Sequence, residues 1–586
     1  MRIITFGVNN FRGISGGIQN NTIEFKDSNT IFLLGQNNVG KSSFLMAYDF
    51  FYKNTSPKPE DIFRMDPENI IEFEIVLQLD DFDFKKESIK QKSEGLKKWL
   101  NEDNLLKIRK VLKPKGGKKI TFENTENYTW DYNAKSWEAK NYGGIGLDNV
   151  FRDALPTPIL IKAMPSESEV ETIINQVLKS KAEINFKDKE REELKAAQAK
   201  IQELQDKLYN PESIKKYKEE VNKHFQELFP QTSIELEEQD KVKWTEHAMG
   251  KKFSIHFEKK NPEGEKDENI PTTYDKIGHG AIRSAIFSLL LMKDIAEEFH
   301  REENRKDYIV LFEEPELFLH PKLMKQLRSL IYRVSESKSP YQIICASHSP
   351  QMIDITKENS SLVRMVKGNE GTKFHQINDE FLKKSKKVRT KQELKQEMHE
   401  VLRFNPFICE SFYADEVILI EGPTEEIILR GYLTEKKPEK ELFVINCGTV
   451  NNIPFYQKIF SKFFIKYHII CDTDSSEFKE DVKDELGLTI FSTGIQKSIY
   501  KQYKKDVSKK GYSTGLFHYH EPTFEPAHQV DEIPETLKYS SDYNNSDGKP
   551  YNANLYWKDT LYPNLENDEI YKVPILNFLN NIINAE

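Results

Sequence analysis

Cysteine is scarce in this 586-residue chain: four are present, Cys345, Cys409, Cys447 and Cys471, far apart and each set among apolar residues. That distribution fits reduced core thiols better than a disulfide framework or a thiolate zinc site. Long apolar runs are missing too. Nothing approaches the roughly 18 consecutive apolar residues of a membrane span, and the opening MRIITFGVNN has no secretory core with a cleavage site. A cytoplasmic protein without a membrane segment is expected. Positive charge is not in surplus either, since 85 Lys and Arg stand against 94 Asp and Glu, for a net charge of −9. No global basic field therefore advertises nucleic acid, and binding would need a local cluster. Three segments qualify, 383–395 (KKSKKVRTKQELK), 110–119 (KVLKPKGGKK) and 501–510 (KQYKKDVSKK), although the ordinary reading of any one is a solvated loop.

What is present is an ordinary globular composition, 38% hydrophobic and 31% charged, in a chain long enough for several domains. Residues 30–34, TIFLL, read as a short buried strand, followed by GQNNVGKSS and the helical pattern FLMAYDFF. This is the P-loop spacing. Its glycines let backbone N–H groups turn toward phosphate oxygens, its lysine adds a point charge, and its serine hydroxyl can reach Mg²⁺. The nucleotide-binding set is taken as Gly35, Asn38, Gly40, Lys41, Ser42 and Ser43, with Ser42 on the metal. A second apolar strand, in YIVLFEEPELFLHP, ends in acids: Glu313 is placed to hold Mg²⁺ and Glu314 to polarise the attacking water. Further on, YQIICASHSP repeats the design, with His348 as a γ-phosphate sensor. Upstream, KIGHGAIRSAIFSLLL offers Gly278, Gly280 and Arg283 at the start of an apolar helix, where bare N–H groups favour an anion.

Between these motifs, IIEFEIVLQLD alternates so that Phe73, Ile75, Leu77 and Leu79 share a strand face. Residues 180–228 are rich in Lys, Glu, Gln and Ala, with Leu194, Ala197, Ile201, Leu204 and Leu208 in a/d spacing, which suits a short helical insertion packing on a twin.

The second half carries another set of acids. In FYADEVILIEGPTEEIILRGYL an apolar strand, Val417 to Ile420, ends at Glu421 and Gly422, with Glu425 four residues on at a helix start. A strand-like LFVINCG, a helix-like IPFYQKIFSKFF and the strand IICDTD follow, the last ending in Asp472 and Asp474. The βαβαβ pattern favours a parallel sheet whose strand ends share one edge, where ligands bind. Glu421, Glu425, Asp472 and Asp474 would converge there, and unpaired carboxylates at close range call for a divalent cation. His518 and His520 in FHYHEPTFEP invite a zinc reading, but alternation on a strand feeding an acidic turn accounts for them more plainly.

The order P-loop, glycine-rich signature, acidic strand and histidine loop, together with the opening NNFRGI and its Arg12, resembles the ABC-type ATPases of the SMC and RecF kind. In that group the signature of one subunit closes over nucleotide held by another, which implies a homodimer or a tetramer. The acids of the second half, EG with a glutamate four residues on, Gly448 after the next strand, then D-x-D, resemble the Toprim domain. An ATPase followed by a Toprim domain resembles the OLD (overcoming lysogenization defect) family, which includes Gabija-type and retron-associated anti-phage effectors. The implied fold class is α/β: an ABC-type P-loop ATPase with a helical dimerisation insertion, then a C-terminal Toprim domain. The boundaries are ATPase over 1–165 and 266–380, insertion over 166–265, basic linker over 381–410 and Toprim over 411–586.

The resemblance implies an ATP-coupled DNA endonuclease of anti-phage defence using Mg²⁺ or Mn²⁺, two ions at the Toprim site. Glu421 and Glu425 would hold one ion, and Asp472 and Asp474 would hold or bridge to the second. A late acid, Glu525 in preference to Glu521, completes the set, and Lys549 steadies the scissile phosphate. A partner protein of helicase type, or a reverse transcriptase with its nucleic acid, fits the family. The alternative is a non-nucleolytic DNA clamp or repair protein of the RecF and SMC kind. A topoisomerase or primase would need a tyrosine-bearing DNA gate or a template module, and no segment looks like either.

Overall fold

The computed structural model describes residues 1–25, 28–85, 89, 93–117, 120–139, 155–166, 168–173, 175, 211–228, 232–238, 253–259, 278, 280–282, 284–285, 307–336, 341–354, 360–368, 371–377, 406–473, 478–483, 489–491, 494–537 and 548–585. Two compact units divide the chain, Met1–Val401 and Leu402–Glu586. Among the described residues, no helix is long and apolar enough to cross a membrane.

The first unit is built on a mostly parallel sheet of β1 (Thr30–Leu34), β2 (Thr157–Ile161), β3 (Tyr308–Glu313), β4 (Tyr341–Ala346), β5 (Ser360–Gly368) and β6 (Gly371–Ile377). Their order is β2-β3-β4-β1-β5-β6, and only the β5–β6 hairpin is antiparallel. Strands covered on both faces must be apolar throughout. Accordingly β1 and β4 are buried at every residue, and β3 at all but its terminal Glu313. Because β1 to β5 run parallel, the loops after β1, β3 and β4 open side by side on one edge.

Helix α1 (Lys41–Lys53) follows β1 and joins this sheet to an antiparallel one, whose strands in order are Thr22–Glu24, Arg2–Asn9, Ile71–Gln78, Leu105–Leu112, Glu126–Asp131 and Ser136–Ala139. Phe73, Ile75, Leu77 and Leu79 all point inward, as the alternating sequence predicts. Phe6 is the hinge of this packing. Its ring meets Phe44 at 5.5 Å, Tyr48 at 5.3 Å and Phe51 at 6.0 Å on α1, and Phe73 at 6.5 Å on the neighbouring strand.

The segment expected to be a helical insertion holds α2 (Pro211–Leu228), with Tyr217, Val221 and Phe225 buried at i, i+4 and i+8, but also an antiparallel pair, Thr232–Glu238 with Phe253–Lys259. Asn222 joins the two: its side-chain amide donates to Ile234 O at 2.9 Å and accepts from Ile234 N at 2.6 Å. The a/d stretch Leu194 to Leu208 and the basic segment 383–395 lie outside the described residues.

The second unit is a four-stranded parallel sheet of β7 (Glu416–Ile420), β8 (Leu442–Asn446), β9 (Lys466–Asp472) and β10 (Phe517–His520), ordered β8-β7-β9-β10. Helices α3 (Pro321–Glu336) in the first unit and α4 (Pro423–Lys436), α5 (Ile453–Phe463), α6 (Gly494–Val507), α7 (Phe524–Ala527), α8 (Lys549–Leu555) and α9 (Pro574–Asn584) in the second complete the framework. Ile418 and Ile420 pack with residues of α4 and α9 in one core. The basic stretch 501–510 spans the last half of α6, which starts beside the strand ends and runs away from them for about 1.5 Å per residue. Lys509 is engaged structurally there, over the Phe464 ring at 4.1 Å and bonded to Ser461 O.

Truncating the residue that locks α1 between the sheets should weaken the whole first unit. Phe6→Ala is expected to lose about 3–5 kcal/mol, read as a lower urea midpoint at unchanged slope; an unchanged midpoint would show that this aromatic cluster does not carry the packing.

Candidate functional site

At the edge of the first unit, the turn after β1 depends on residues that tolerate left-handed backbone: Gly35 at φ +142°, Asn38 at +62° and Gly40 at +101°. A Cβ at Gly35 would stand 2.5 Å from the Met365 carbonyl oxygen. Lys41 opens α1 and curls back so that Nζ donates to Gly35 O at 2.6 Å and Gln36 O at 2.8 Å. Burial pulls its pKa down to about 8, against the opposing charges of Glu314 and Glu316. Ser42 and Ser43 follow in the first helical turn. Arg12 lies on the turn after the first strand, with Nε on Asp61 at 3.0 Å. Its neighbour Gly13 abuts the loop, since a Cβ there would lie 3.8 Å from Gly40 Cα and Ser43 Oγ.

The acids after β3 reach the same edge. Glu313 accepts from Ala163 N at 3.3 Å. Glu314 has φ +44° and donates its own N–H to Ala346 O at 2.7 Å, which ties the end of β3 to the end of β4. Its carboxylate lies 3.8 Å from His348 Nε2. Burial, then the Lys41 charge, lowers the His348 pKa. Sequence reasoning missed Glu316. One of its oxygens accepts from Ser347 Oγ at 2.9 Å, His348 N at 2.6 Å and Ser349 N at 3.0 Å, so a carboxylate from the acidic loop holds the histidine loop in place. Burial raises its pKa. The only hint was a third glutamate in EEPE. Gly278 caps the start of the signature helix, where Ala281 N donates to its carbonyl at 2.9 Å, and Gly280 packs so closely on Phe318 and Leu319 that a Cβ would come within 2.8 Å of both. Arg283 lies outside the described residues.

In the second unit, β7 ends at Glu421, and Gly422 caps α4, whose first turn carries Glu425 at 4% exposure. Strand β9 ends beside β7, and Asp472 N donates to Glu421 Oε2 at 3.3 Å, so these acids, 51 residues apart, meet. Glu425 joins them. Burial first, then the charges of Asp472 and Glu421, push its pKa up to about 8, while Lys549 pulls the other way. Asp472 is raised to about 6 by burial, with Lys549 and the Phe524 N–H acting against it. Gln496 donates to the Asp472 carbonyl at 3.1 Å, and Thr473 N donates to His520 O at 3.0 Å. His520 faces Asp472 across the β9–β10 register, its Nδ1 3.2 Å from Asp472 Oδ1. Glu425, Asp472 and His520 each bring a ligand atom within 4.8 Å of the others.

Lys549, exposed at the first position of α8, reaches this edge because α8 and the turns after it pack against α4. Gly431 makes room, since a Cβ there would stand 2.5 Å from the Trp557 ring. Glu525 is half-buried in α7, one residue after the Phe524 amide that touches Asp472, whereas Glu521 is exposed. Asp474 lies outside the described residues. Buried carboxylates with raised pKa values at the end of parallel strands suit a divalent cation, whose charge relieves both their desolvation and their mutual repulsion.

Comparison with known proteins follows the same division. Residues 1–353 match the family of the AAA ATPase domain, and residues 412–474 match the Toprim domain of overcoming lysogenization defect protein-like proteins. The Old nuclease of Escherichia phage P2 is 24% identical over 463 residues, covering 75% of this chain and 73% of that protein. Endonuclease GajA of Bacillus cereus strain HuB5-5 is 22% identical over 194 residues, 31% of this chain and 28% of that one; GajA of strain VD045 is 26% identical over 149 residues, 24% and 22%. Nucleotide and divalent-metal use goes with these domains. The chain therefore belongs to the AAA ATPase domain family, and its second half makes it an ATPase–Toprim protein of the OLD family.

Proposed function

We propose that this protein is a metal-dependent DNA endonuclease gated by its ABC-type ATPase, acting in the cytoplasm as an anti-phage effector and assembling as a homodimer or tetramer. The observation that carries this reading is the meeting of Glu421, Glu425 and Asp472 beside the Lys549 ammonium. The Old and GajA relatives, named as nucleases, support it. Glu421, Glu425 and Asp472, with Asp474 and Glu525, would hold Mg²⁺ or Mn²⁺, two ions in all. Such ions, when bound, lower the pKa of water and stabilise the departing 3′ oxygen.

The chain's own residues prepare the edge for this. Lys549 offers a positive charge to the phosphate being cut, and Gln496 and Thr473 hold the backbone of Asp472 so that its carboxylate stays at the rim. In the first unit Lys41 and the loop from Gly35 to Gly40 would cradle the phosphates of ATP, Ser42 and Glu313 would hold Mg²⁺, and Glu314 would orient water with His348 beside it. Arg12, Gly278, Gly280 and Arg283 would complete the site, the last three across a dimer. A helicase-like protein or a reverse transcriptase with its nucleic acid would be its partner.

Asp472→Ala should abolish plasmid cleavage in Mg²⁺ and Mn²⁺ with the fold unchanged; wild type and variant that both leave DNA intact, even with the neighbouring gene products present, would remove the nuclease reading. Lys41→Ala is expected to keep metal uptake at the Toprim edge but change how cleavage depends on ATP, and identical cleavage by both proteins at every ATP concentration would refute gating.

Proton linkage gives an independent check. In the metal-free protein the Glu425 carboxyl is raised to about 8, so its neutral form stabilises the fold fully below the ordinary range near 4.5, and this contribution is lost as pH rises through about 8. An arriving cation must displace that proton at neutral pH. Calorimetry in two buffers of different ionisation heat should therefore register close to one proton released per protein at pH 7, falling toward none at pH 9, with affinity rising over the same interval. Uptake at pH 7 without proton release would contradict the protonated state of Glu425.

A further inference from the structure

Resting on the reading of this edge as a metal centre, we propose that His520 is itself a ligand of the ion held by Glu425 and Asp472, and that its imidazole tilts the site toward Mn²⁺ over Mg²⁺. The last rung of the β9–β10 pair sets Asp472 opposite His520, and Thr473, which bonds to His520 O and Pro522 O, locks that register. The ring is fully buried among His518, Phe524 and His528, with centroids 5.3, 5.0 and 4.8 Å away. Its Nδ1, the nitrogen that faces the rim, lies 3.2 Å from Asp472 Oδ1, a hydrogen bond in the metal-free protein that an ion between the two atoms would replace. Two ligands about 2.1 Å from one ion and at right angles stand about 3 Å apart, so the spacing is already that of neighbouring ligands. A Glu425 oxygen lies within 4.8 Å of both.

The other histidines of the cluster do not qualify. His528 has both nitrogens engaged, Nδ1 with Phe524 O at 2.6 Å and Nε2 with Ile575 N at 3.3 Å. His518 sits two residues further down β10, about 7 Å from the rim along the strand. One imidazole among carboxylates matters for ion choice. Mg²⁺ is bound through oxygen and keeps its waters, whereas transition-metal ions accept nitrogen readily.

The test uses the full chain, nucleotide-free, loaded with Mn²⁺ and read by pulsed electron paramagnetic resonance, with Asp472→Ala as the blank that removes signals from any other Mn²⁺ site. Wild type should show ¹⁴N modulation from a directly bound imidazole, replaced by ¹⁵N modulation when only the histidines are labelled; this step needs no variant that could misfold. His520→Gln should lose the modulation, and by calorimetry its preference for Mn²⁺ over Mg²⁺ should fall about tenfold. Mn²⁺ bound through Asp472 without nitrogen modulation, or modulation that survives in His520→Gln, overturns the assignment of His520 while leaving the metal centre standing. No Mn²⁺ uptake that depends on Asp472 overturns both.

Discussion

The second unit is organised around carboxylates that cannot all be ionised and dry at once. Glu425 is buried in the first turn of α4, Asp472 is half-buried at the end of β9, and Glu421 touches the Asp472 amide. Burial holds the protons of both Glu425 and Asp472 to higher pH than a free carboxyl, and the charges of Asp472 and Glu421 add to that at Glu425. Several features make sense as answers to that repulsion. The Phe524 amide at the start of α7 points at Asp472, the Lys549 charge acts on both Glu425 and Asp472, and the absence of a side chain at Gly431 lets Trp557 pack close on α4.

The first unit uses the same architecture for a different ligand. There too a parallel sheet delivers loops to one edge, where Glu314 adds its charge to the burial that raises the Glu316 pKa and both acids act on Lys41. Glu314 and Phe318 adopt left-handed backbone, unusual for side chains of their size, and Glu316 braces the loop of His348. Lys41 bonds to carbonyls of its own loop, so the positive charge is already stationed at the turn.

Much of this was legible in the sequence because it is local. The P-loop needs only a strand, glycines at two positions and a lysine in one run of nine residues, and EG with a glutamate four on is confined to one strand–helix junction. The convergence of Glu421 with Asp472 was also accessible, since a βαβαβ pattern allows few arrangements of the strand ends. What remained hidden depends on register and on packing between distant segments. His520 meets Asp472 only because β10 pairs with β9 at one offset, and a shift of one residue would have turned it to the other face. Gln496 is joined to Asp472 by the start of a helix of which the sequence reading singled out only the later, lysine-rich 501–510. The hairpin after α2 was masked by the helical composition around it, although the alternation in TSIELEE carried the signal.

The central claim is that the rim formed by Glu421, Glu425 and Asp472 is a cation site. Crystals grown with Mn²⁺ and measured at the manganese absorption edge test it most directly. An anomalous peak within bonding distance of Glu425 and Asp472 is the predicted result; clear density for both side chains with no peak between them, at Mn²⁺ concentrations that saturate the protein in solution, would contradict it.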